Sequence, residues 1–292
     1  HRWNTQQIDS RSVQITNKGT ITLDETYAPT DADKDGDLDG PLAQGQGRFG
    51  IRTLGALTGS VVNSGAITIE GNDSAAISLE GPLTGSLTSS GGVSVLGNNS
   101  VGIRAGAVSG NVALTGSISA TGANATGVAL IGPVGGALTV QGAIAATGYR
   151  STTSPADPSK LDADDLLQGG PALQVAGSVA GGILLAAPPP NLNPDDKDED
   201  KDGIDDAAEG TAQVTSYGAA PAVQIGAATG TVSIGAVAGT AAAGNGIVNN
   251  GRILGSGVYK DVAATGMLIG GLGGATTVAG GVANTGSIGA TS

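Results

Sequence analysis

The sequence predicts an all-β fold, a parallel β-helix, from three observations: a repeat of 25 to 26 residues, alternating polarity within each repeat, and a glycine at a fixed corner. Ile51, Ile77, Ile103 and Val128 begin near-copies of one segment and lie 26, 26 and 25 residues apart. A fixed period of this size is typical of solenoids. Each copy reads as three short strands, which cannot bury an apolar face alone and therefore stack as coils.

The corners of the coil are marked by glycine and asparagine. At the second corner a glycine precedes an Ile or Val by two residues, as in Gly65 and Ile67, which predicts a positive φ followed by an inward-pointing side chain. At the third corner we expect asparagine amides to stack into a ladder along the axis. The residues assigned to this ladder are Asn72, Asn98, Asn124 and Asn245.

The composition supports one elongated domain over residues 1–292. Glycine accounts for 52 of the 292 residues and aromatic residues for only 2%, but the apolar residues recur in phase, which argues against disorder. The uncharged stretch from residue 218 to 250 consists mainly of small residues, so no membrane span is predicted there.

The repeat is interrupted by four insertions, and each is predicted to follow the third strand of its coil. Insertions at a common corner project from a common side of the solenoid. They cover approximately residues 24–49, 149–170, 188–218 and 255–265. All four tyrosines lie in or beside them. We expect the tyrosines to hold the insertions against the rod, the alternative being an aromatic patch that faces a partner.

The insertion at 188–218 contains a motif for calcium. Ca²⁺ prefers six to eight oxygen ligands, and a twelve-residue loop supplies them from alternating carboxylates, one backbone carbonyl and a final bidentate glutamate, with glycine at the sixth place. The predicted ligands are Asp198, Asp200, Asp202, the carbonyl of Ile204, Asp206 and Glu209.

The insertion at 24–49 repeats the first nine places of this motif. Leu42 occupies the twelfth place, so this site is expected to be weaker, or to be completed by a residue from elsewhere in the chain. The predicted ligands are Asp31, Asp33, Asp35, the carbonyl of Asp37, and Asp39.

The alternative for both loops is a solvated acidic surface. However, residues 195–209 and 31–39 together contain 14 of the 25 acidic residues, and ordered carboxylates at this density repel one another by about 1 kcal/mol per close pair. This cost favours a bound Ca²⁺. The acidic residues of the insertion at 149–170 lack the spacing and the glycine, and are interpreted as surface charge: Asp157, Asp162, Asp164 and Asp165.

Charge and residue usage argue against two other classes of function. The net charge of −12, without a basic stripe, argues against nucleic-acid binding. The single histidine, His1, and the lack of cysteine leave no Ser/His/Asp or Cys/His arrangement. Glu70 and Glu80 are the notable acids near strands and are interpreted as surface residues, so the chain is not expected to be an enzyme.

The Asn-x-Gly-x-Ile repeats, with the segments 258–271 and 282–288, resemble the passenger regions of bacterial autotransporters and related surface-layer or adhesin β-solenoids. The resemblance implies export and display outside the cell. The acidic segment 198–209 also resembles the Ca²⁺ repeats of secreted bacterial proteins.

Together these features predict an extracellular, Ca²⁺-binding structural or interaction protein of a bacterial surface fibre, coat or adhesin. Its expected partners are like subunits in an oligomer or filament, and a surface polysaccharide or a host or cell surface. One alternative is a passenger enzyme that acts on polysaccharide, which a groove of clustered Asp, Glu and Arg on one coil face would favour. The other is a pure assembly subunit that polymerises end to end.

Overall fold

The computed structural model describes residues 13–32, 34, 38–155, 157–188, 192–197, 199, 206–239 and 242–292. Within these residues the chain forms parallel sheets whose strands pair in register from coil to coil. The fold is therefore a parallel β-helix, as the sequence predicts.

The described residues contain 26 strands and two short 3₁₀ turns. The strands are β1 (Val13–Asn17), β2 (Ile21–Leu23), β3 (Phe49–Thr53), β4 (Leu57–Asn63), β5 (Ile67–Glu70), β6 (Ala75–Leu79), β7 (Leu83–Thr84), β8 (Leu87–Ser89), β9 (Val93–Leu96), β10 (Val101–Ala105), β11 (Val112–Leu114), β12 (Ile118–Thr121), β13 (Thr126–Leu130), β14 (Leu138–Val140), β15 (Ala143–Thr147), β16 (Leu173–Val175), β17 (Ile183–Leu185), β18 (Gln213–Tyr217), β19 (Val223–Ile225), β20 (Thr231–Ile234), β21 (Ile247–Asn249), β22 (Arg252–Ser256), β23 (Met267–Ile269), β24 (Ala275–Val278), β25 (Val282–Asn284) and β26 (Ser287–Thr291). The 3₁₀ turns are Pro158–Lys160 and Asp206–Ala208.

Three long sheets run along the rod. Sheet 1 has the order β1-β4-β8-β11-β14-β17-β21-β25, sheet 2 the order β2-β5-β9-β12-β15-β18-β22-β26, and sheet 3 the order β3-β6-β10-β13-β16-β19-β23. A short fourth ladder, which includes the β20-β24 pair, lies between sheet 3 and sheet 1 in the chain. Each coil thus passes through sheet 3, the short ladder, sheet 1 and sheet 2.

The core is a column of aliphatic side chains stacked between coils. In sheet 2, Ile67 pairs with Val93, Val93 with Ile118, and Ile118 with Ile144, and all four are at most 3% exposed. Burial of such a side chain contributes about 1.5–3 kcal/mol. The prediction that the Ile or Val after the second corner points inward is confirmed for these four coils, whereas Ile288 in the last coil is 40% exposed.

The glycines of the second corner are required for close approach between coils, and not for the positive φ that we predicted. None of them has φ in the left-handed region. A Cβ on Gly65 would lie 1.8 Å from the carbonyl oxygen of Gly19, and one on Gly91 would lie 2.0 Å from that of Gly65. The same contact recurs at Gly116 and Gly142. A Cβ at any of these four positions would clash with the backbone of the preceding coil.

The ladder at the third corner is shifted by one residue from the predicted one. Asn124 Nδ2 donates to Asn99 Oδ1, and Asn99 Nδ2 donates to Asp73 Oδ1, each at 3.2 Å. Asn98 instead aligns with Asn72, whose Oδ1 accepts the Asn98 N–H at 2.8 Å. The shift arises because the third copy is one residue shorter, so a constant step of 26 selects the wrong neighbour.

Asn245 does not continue this ladder. It lies between β20 and β21, where its Nδ2 donates to the carbonyl of Gly280 at 2.6 Å.

Three of the four insertions share one corner, as predicted, and the fourth does not. Segments 24–48, 148–172 and 257–266 each connect sheet 2 to sheet 3. The insertion predicted at 188–218 connects β17 of sheet 1 to β18 of sheet 2, so it leaves from a different corner. Its predicted end was also too late, because residues 213–217 form β18 and place Val214 in register with Ile144.

Polar contacts join the two ends of the first insertion. The Glu25 carboxylate accepts the N–H groups of Gln44 at 2.7 Å and Gly45 at 2.8 Å, and it lies 3.4 Å from Arg48 Nη2. Burial alone would raise the pKa of Glu25, but the hydrogen bonds from Gln44 and Gly45 and the Arg48 charge outweigh it and lower this pKa.

Two tyrosines hold the second and the last insertion to each other, whereas the predicted contact was with the rod. The rings of Tyr149 and Tyr259 meet edge to face, with centroids 4.7 Å apart. Tyr149 is fully buried and its hydroxyl donates to the carbonyl of Gly257 at 3.0 Å, while the Tyr259 hydroxyl donates to that of Ser151 at 3.2 Å. This pair joins the second insertion to the last.

Candidate metal centre

The structure describes only part of the two predicted calcium loops. Asp31, Asp39, Asp206 and Glu209 are described. The other predicted ligands lie outside the described residues: Asp33, Asp35, Asp37, Asp198, Asp200, Asp202 and Ile204. The two loop sites as complete ligand sets therefore stay predictions.

The acidic segment of the first insertion closes on itself. Thr30 and Asp39 form an antiparallel bridge in which the Asp39 N–H donates to the Thr30 carbonyl at 3.0 Å. The Asp39 carboxylate accepts the N–H of Ala32. Asp39 is half-buried by these contacts, whereas Asp31 is exposed.

Asp39 meets two carboxylates of the second insertion. One carboxylate oxygen from each of Asp39, Asp162 and Asp164 lies within 4.8 Å of the others, a spacing that could hold one metal ion. Asp39 and Asp164 are half-buried and Asp162 is exposed. The cluster therefore connects two insertions that are more than a hundred residues apart in the chain.

Arg150 and backbone groups hold this cluster in place. Arg150 Nη2 donates to Asp164 Oδ2 at 2.7 Å and also to the carbonyl of Gly40. The Gly40 N–H donates to the same Asp164 oxygen at 2.7 Å. Asp165 is buried with its Oδ1 3.9 Å from Arg150 Nε, and its Oδ2 accepts the Asp162 N–H at 3.2 Å.

The carboxyl groups of the cluster titrate unequally. The hydrogen bond from the Asp162 carboxyl, helped by Arg150 and the Gly40 N–H, lowers the pKa of Asp164 to about 2. The same carboxyl contact raises the pKa of Asp162. Two carboxylates this close disfavour a second negative charge, and a divalent cation between them would remove that penalty.

In the third insertion, the described residues form the start of a turn. Asp206 opens the 3₁₀ turn Asp206–Ala208, and its N–H donates to the carbonyl of Lys197 at 2.7 Å. Its Oδ1 accepts the Glu199 N–H at 3.2 Å, while Glu209 is half-buried just beyond the turn. Asp206 and Glu209 are not part of a described group of three metal-ligating side chains.

Sequence reasoning missed Asp162 and Asp164, which were interpreted as surface charge. A usable signal was present: both occur as Asp-x-Asp in an insertion that leaves the same corner as the one containing Asp39. Alternating carboxylates on neighbouring insertions can converge even when neither insertion carries a complete loop motif.

Apart from the carboxylate cluster, a charged hollow lies on the outer face of sheet 3. It has a volume of about 450 Å³, and Arg52 and Arg104 occupy equivalent positions on either side of Ser78. Arg52 Nε lies 2.7 Å from Glu80 Oε1, and its guanidinium carbon is 4.0 Å from the centre of the Phe49 ring. This contact with Arg52 lowers the pKa of Glu80.

Comparison with protein-family models, curated proteins and solved structures finds no match for this chain. Among the described residues, no helix has the length and apolar character needed to cross a membrane. The functional assignment therefore depends on the chain's own residues and geometry.

Proposed function

We propose that this chain is an extracellular structural or interaction protein of a bacterial surface, a β-solenoid rod whose insertions bind Ca²⁺. The observation that carries the proposal is the convergence of Asp39, Asp162 and Asp164 from two insertions. A rod with ion-linked insertions on one side suits a fibre, coat or adhesin, because the coils supply length and the insertions supply a defined surface.

Calcium suits this donor set better than a transition metal. The cluster offers only oxygen atoms, and the chain has no cysteine and a single histidine, His1. Hard oxygen ligands select Ca²⁺, Mg²⁺ or Mn²⁺, and carboxylates contributed by two separate insertions favour the irregular coordination of Ca²⁺ over the strict octahedron of Mg²⁺.

The proposed role of the ion is to tie the first insertion to the second. Backbone and side-chain contacts already pair Gly40 with Asp164 and Arg150. A Ca²⁺ would add three carboxylate bonds across the same junction and remove the repulsion between the acids. The resemblance to surface β-solenoids supports contacts with like subunits, a surface polysaccharide or a cell surface.

Calorimetric titration with Ca²⁺ tests the metal site. The variant Asp162→Asn keeps the side-chain shape but removes one charge, and we expect it to weaken one binding event by about tenfold or more. Asp157→Asn is the matched control, because Asp157 is an exposed acid of the same insertion whose carboxylate accepts hydrogen bonds from the nearby Ser159. Equal Ca²⁺ affinities for the wild type and Asp162→Asn would refute this site.

A second candidate function is recognition of an acidic polysaccharide by the hollow on sheet 3. Arg104 is exposed there, and Phe49 and Arg52 offer a stacked surface. The lowered pKa of Glu80 makes it a poor general acid, so this hollow supports binding better than cleavage. Arg104→Gln should weaken binding of an anionic oligosaccharide, whereas the exposed Arg252→Gln on sheet 2 should not; equal losses would refute a specific site.

A further inference from the structure

A cleft of about 630 Å³ opens between the first and second insertions. This volume lies within the range of sites that enclose small molecules. The cleft extends over the outer ends of three neighbouring strands of sheet 2, and Tyr259 of the last insertion contributes to its lining. It therefore exists only because three insertions leave the same corner of the rod.

The floor of the cleft is a line of side chains on consecutive coils. Glu70, Leu96 and Thr121 end β5, β9 and β12 and are aligned in register. With coils about 4.8 Å apart, the floor extends for roughly 10 Å along the rod. A carboxylate thus lies at one end of the floor and a leucine in the middle.

The walls of the cleft are largely apolar. The first insertion contributes Tyr27, Pro29, Leu38 and Leu42, and Leu38 is 48% exposed. The second insertion contributes Leu161 on the opposite side. Large apolar side chains that converge on an open space and stay partly exposed mark a ligand site more often than a packing contact.

Among the described charged side chains of the lining, only the Glu70 carboxylate has no ion pair, although Arg48 Nη1 donates to the backbone carbonyl of Glu70 at 2.5 Å. Arg150 is paired with both Asp164 and Asp165. Among the described residues Glu70 makes no ion pair, and one of its oxygens, Oε2, accepts the N–H of Glu25 at 3.2 Å. A partly buried carboxylate beside an apolar surface favours a ligand that brings a positive charge.

We propose that this cleft binds a small amphipathic amine, a molecule with one ammonium group and an apolar chain or ring. The ammonium donates to the Glu70 carboxylate, and the apolar part lies over Leu96 toward Thr121, between Leu42 and Leu161. The residues that line the cleft include none of Asp39, Asp162 and Asp164, so the amine and a metal ion would bind to different side chains.

Three ligands of nearly equal size test the proposal: 4-phenylbutylamine, 4-phenylbutanol and 4-phenylbutyrate, titrated by calorimetry at neutral pH with excess Ca²⁺. We expect the amine to bind about tenfold or more tightly than the alcohol, and the acid to bind least. Glu70→Gln should remove most of the preference for the amine, because the amide keeps the acceptor for Glu25 but loses the charge.

Two further variants serve as controls. Leu96→Thr introduces the residue type that the next two coils have at the equivalent position, Thr121 and Thr147, so the coil should still fold. All three ligands should bind more weakly to it, because apolar contact area is lost. Glu80→Gln, on sheet 3, should change nothing in the cleft. The proposal is overturned if the amine does not bind saturably, if the alcohol binds equally well, or if Glu70→Gln leaves the preference intact in a folded protein.

Discussion

The substitution Gly91→Ala tests whether the second corner is limited by contact between coils. In the structure the added Cβ would lie 2.0 Å from the carbonyl oxygen of Gly65, while real Cβ contacts essentially never fall below 3.0 Å. The neighbouring backbones must therefore separate by about 1 Å. Because a backbone atom is the obstacle, side-chain rotation cannot relieve the clash.

The expected cost follows from the bonds at this corner. The N–H groups of Ser90 and Gly91 both donate to the carbonyl of Asn63, at 2.8 and 3.2 Å. Weakening these bonds and loosening the adjacent packing should lower the free energy of unfolding by about 2–4 kcal/mol. The next residue supplies the control, since a Cβ on Gly92 would meet only Ser117 Oγ, at 3.6 Å.

Urea denaturation followed by circular dichroism measures the difference. Gly91→Ala should shift the midpoint clearly downward, whereas Gly92→Ala should leave it unchanged or raise it slightly, because alanine reduces the entropy of the unfolded chain. Equal midpoints for the two variants, or a larger loss for Gly92→Ala, would refute the close-approach explanation.

Three other predictions concern the insertions. The pKa of Glu25 is lowered from its ordinary 4.5 in the folded chain, so the ionised carboxylate stabilises the fold fully above pH 4.5, and this stabilisation is lost as the pH falls through the folded pKa. Proteolysis of the first insertion should therefore accelerate as the pH falls through that folded pKa, and the acceleration should be smaller in Glu25→Gln. Tyr149→Phe should cost about 1–2 kcal/mol in thermal unfolding by removing a buried hydrogen bond, whereas Tyr217→Phe, at a half-buried ring, should cost less than 0.5 kcal/mol, roughly. Deleting residues 75–100 removes one coil in register and should keep the strand signal in circular dichroism. The deletion moves the first two insertions by about 4.8 Å relative to each other, so it should abolish Ca²⁺ binding at Asp39. Unchanged calcium affinity would contradict a site that bridges the two insertions.

The architecture was predictable because one physical requirement is repeated in every coil. Ile67, Val93, Ile118 and Ile144 satisfy the same inward position, so the repeat reports burial directly. The predictions that relied on a constant number of residues per coil were wrong where a coil is shorter or carries an insertion. The asparagine ladder slipped by one residue at Asn124, and β18 was included in an insertion although Val214 marks its register.

The cluster of Asp39, Asp162 and Asp164 was only half predictable. Asp39 carried a recognisable loop motif, but Asp162 and Asp164 acquire their meaning from contacts with a segment far away in sequence. Such contacts depend on how each insertion folds over the rod, and no periodicity constrains that conformation. The cleft was missed for the same reason: Leu96 lies at a strand position like many others, and it lines a cleft only because two insertions fold on either side of it.

The rod explains how distant insertions can cooperate. Between β2 and β15 the second sheet advances by four coils, about 19 Å at the usual strand spacing, although the two strands are separated by 120 residues from Leu23 to Ala143. Each of the two insertions is about 25 residues long, which is ample to cover half of that distance even when folded back. A change in the length or path of a strand would break its hydrogen bonds to both neighbouring coils. Insertions with functional side chains therefore occur at the corners, where segments from different coils meet on one side of the rod. The Asp39 cluster and the adjoining cleft are both products of this arrangement.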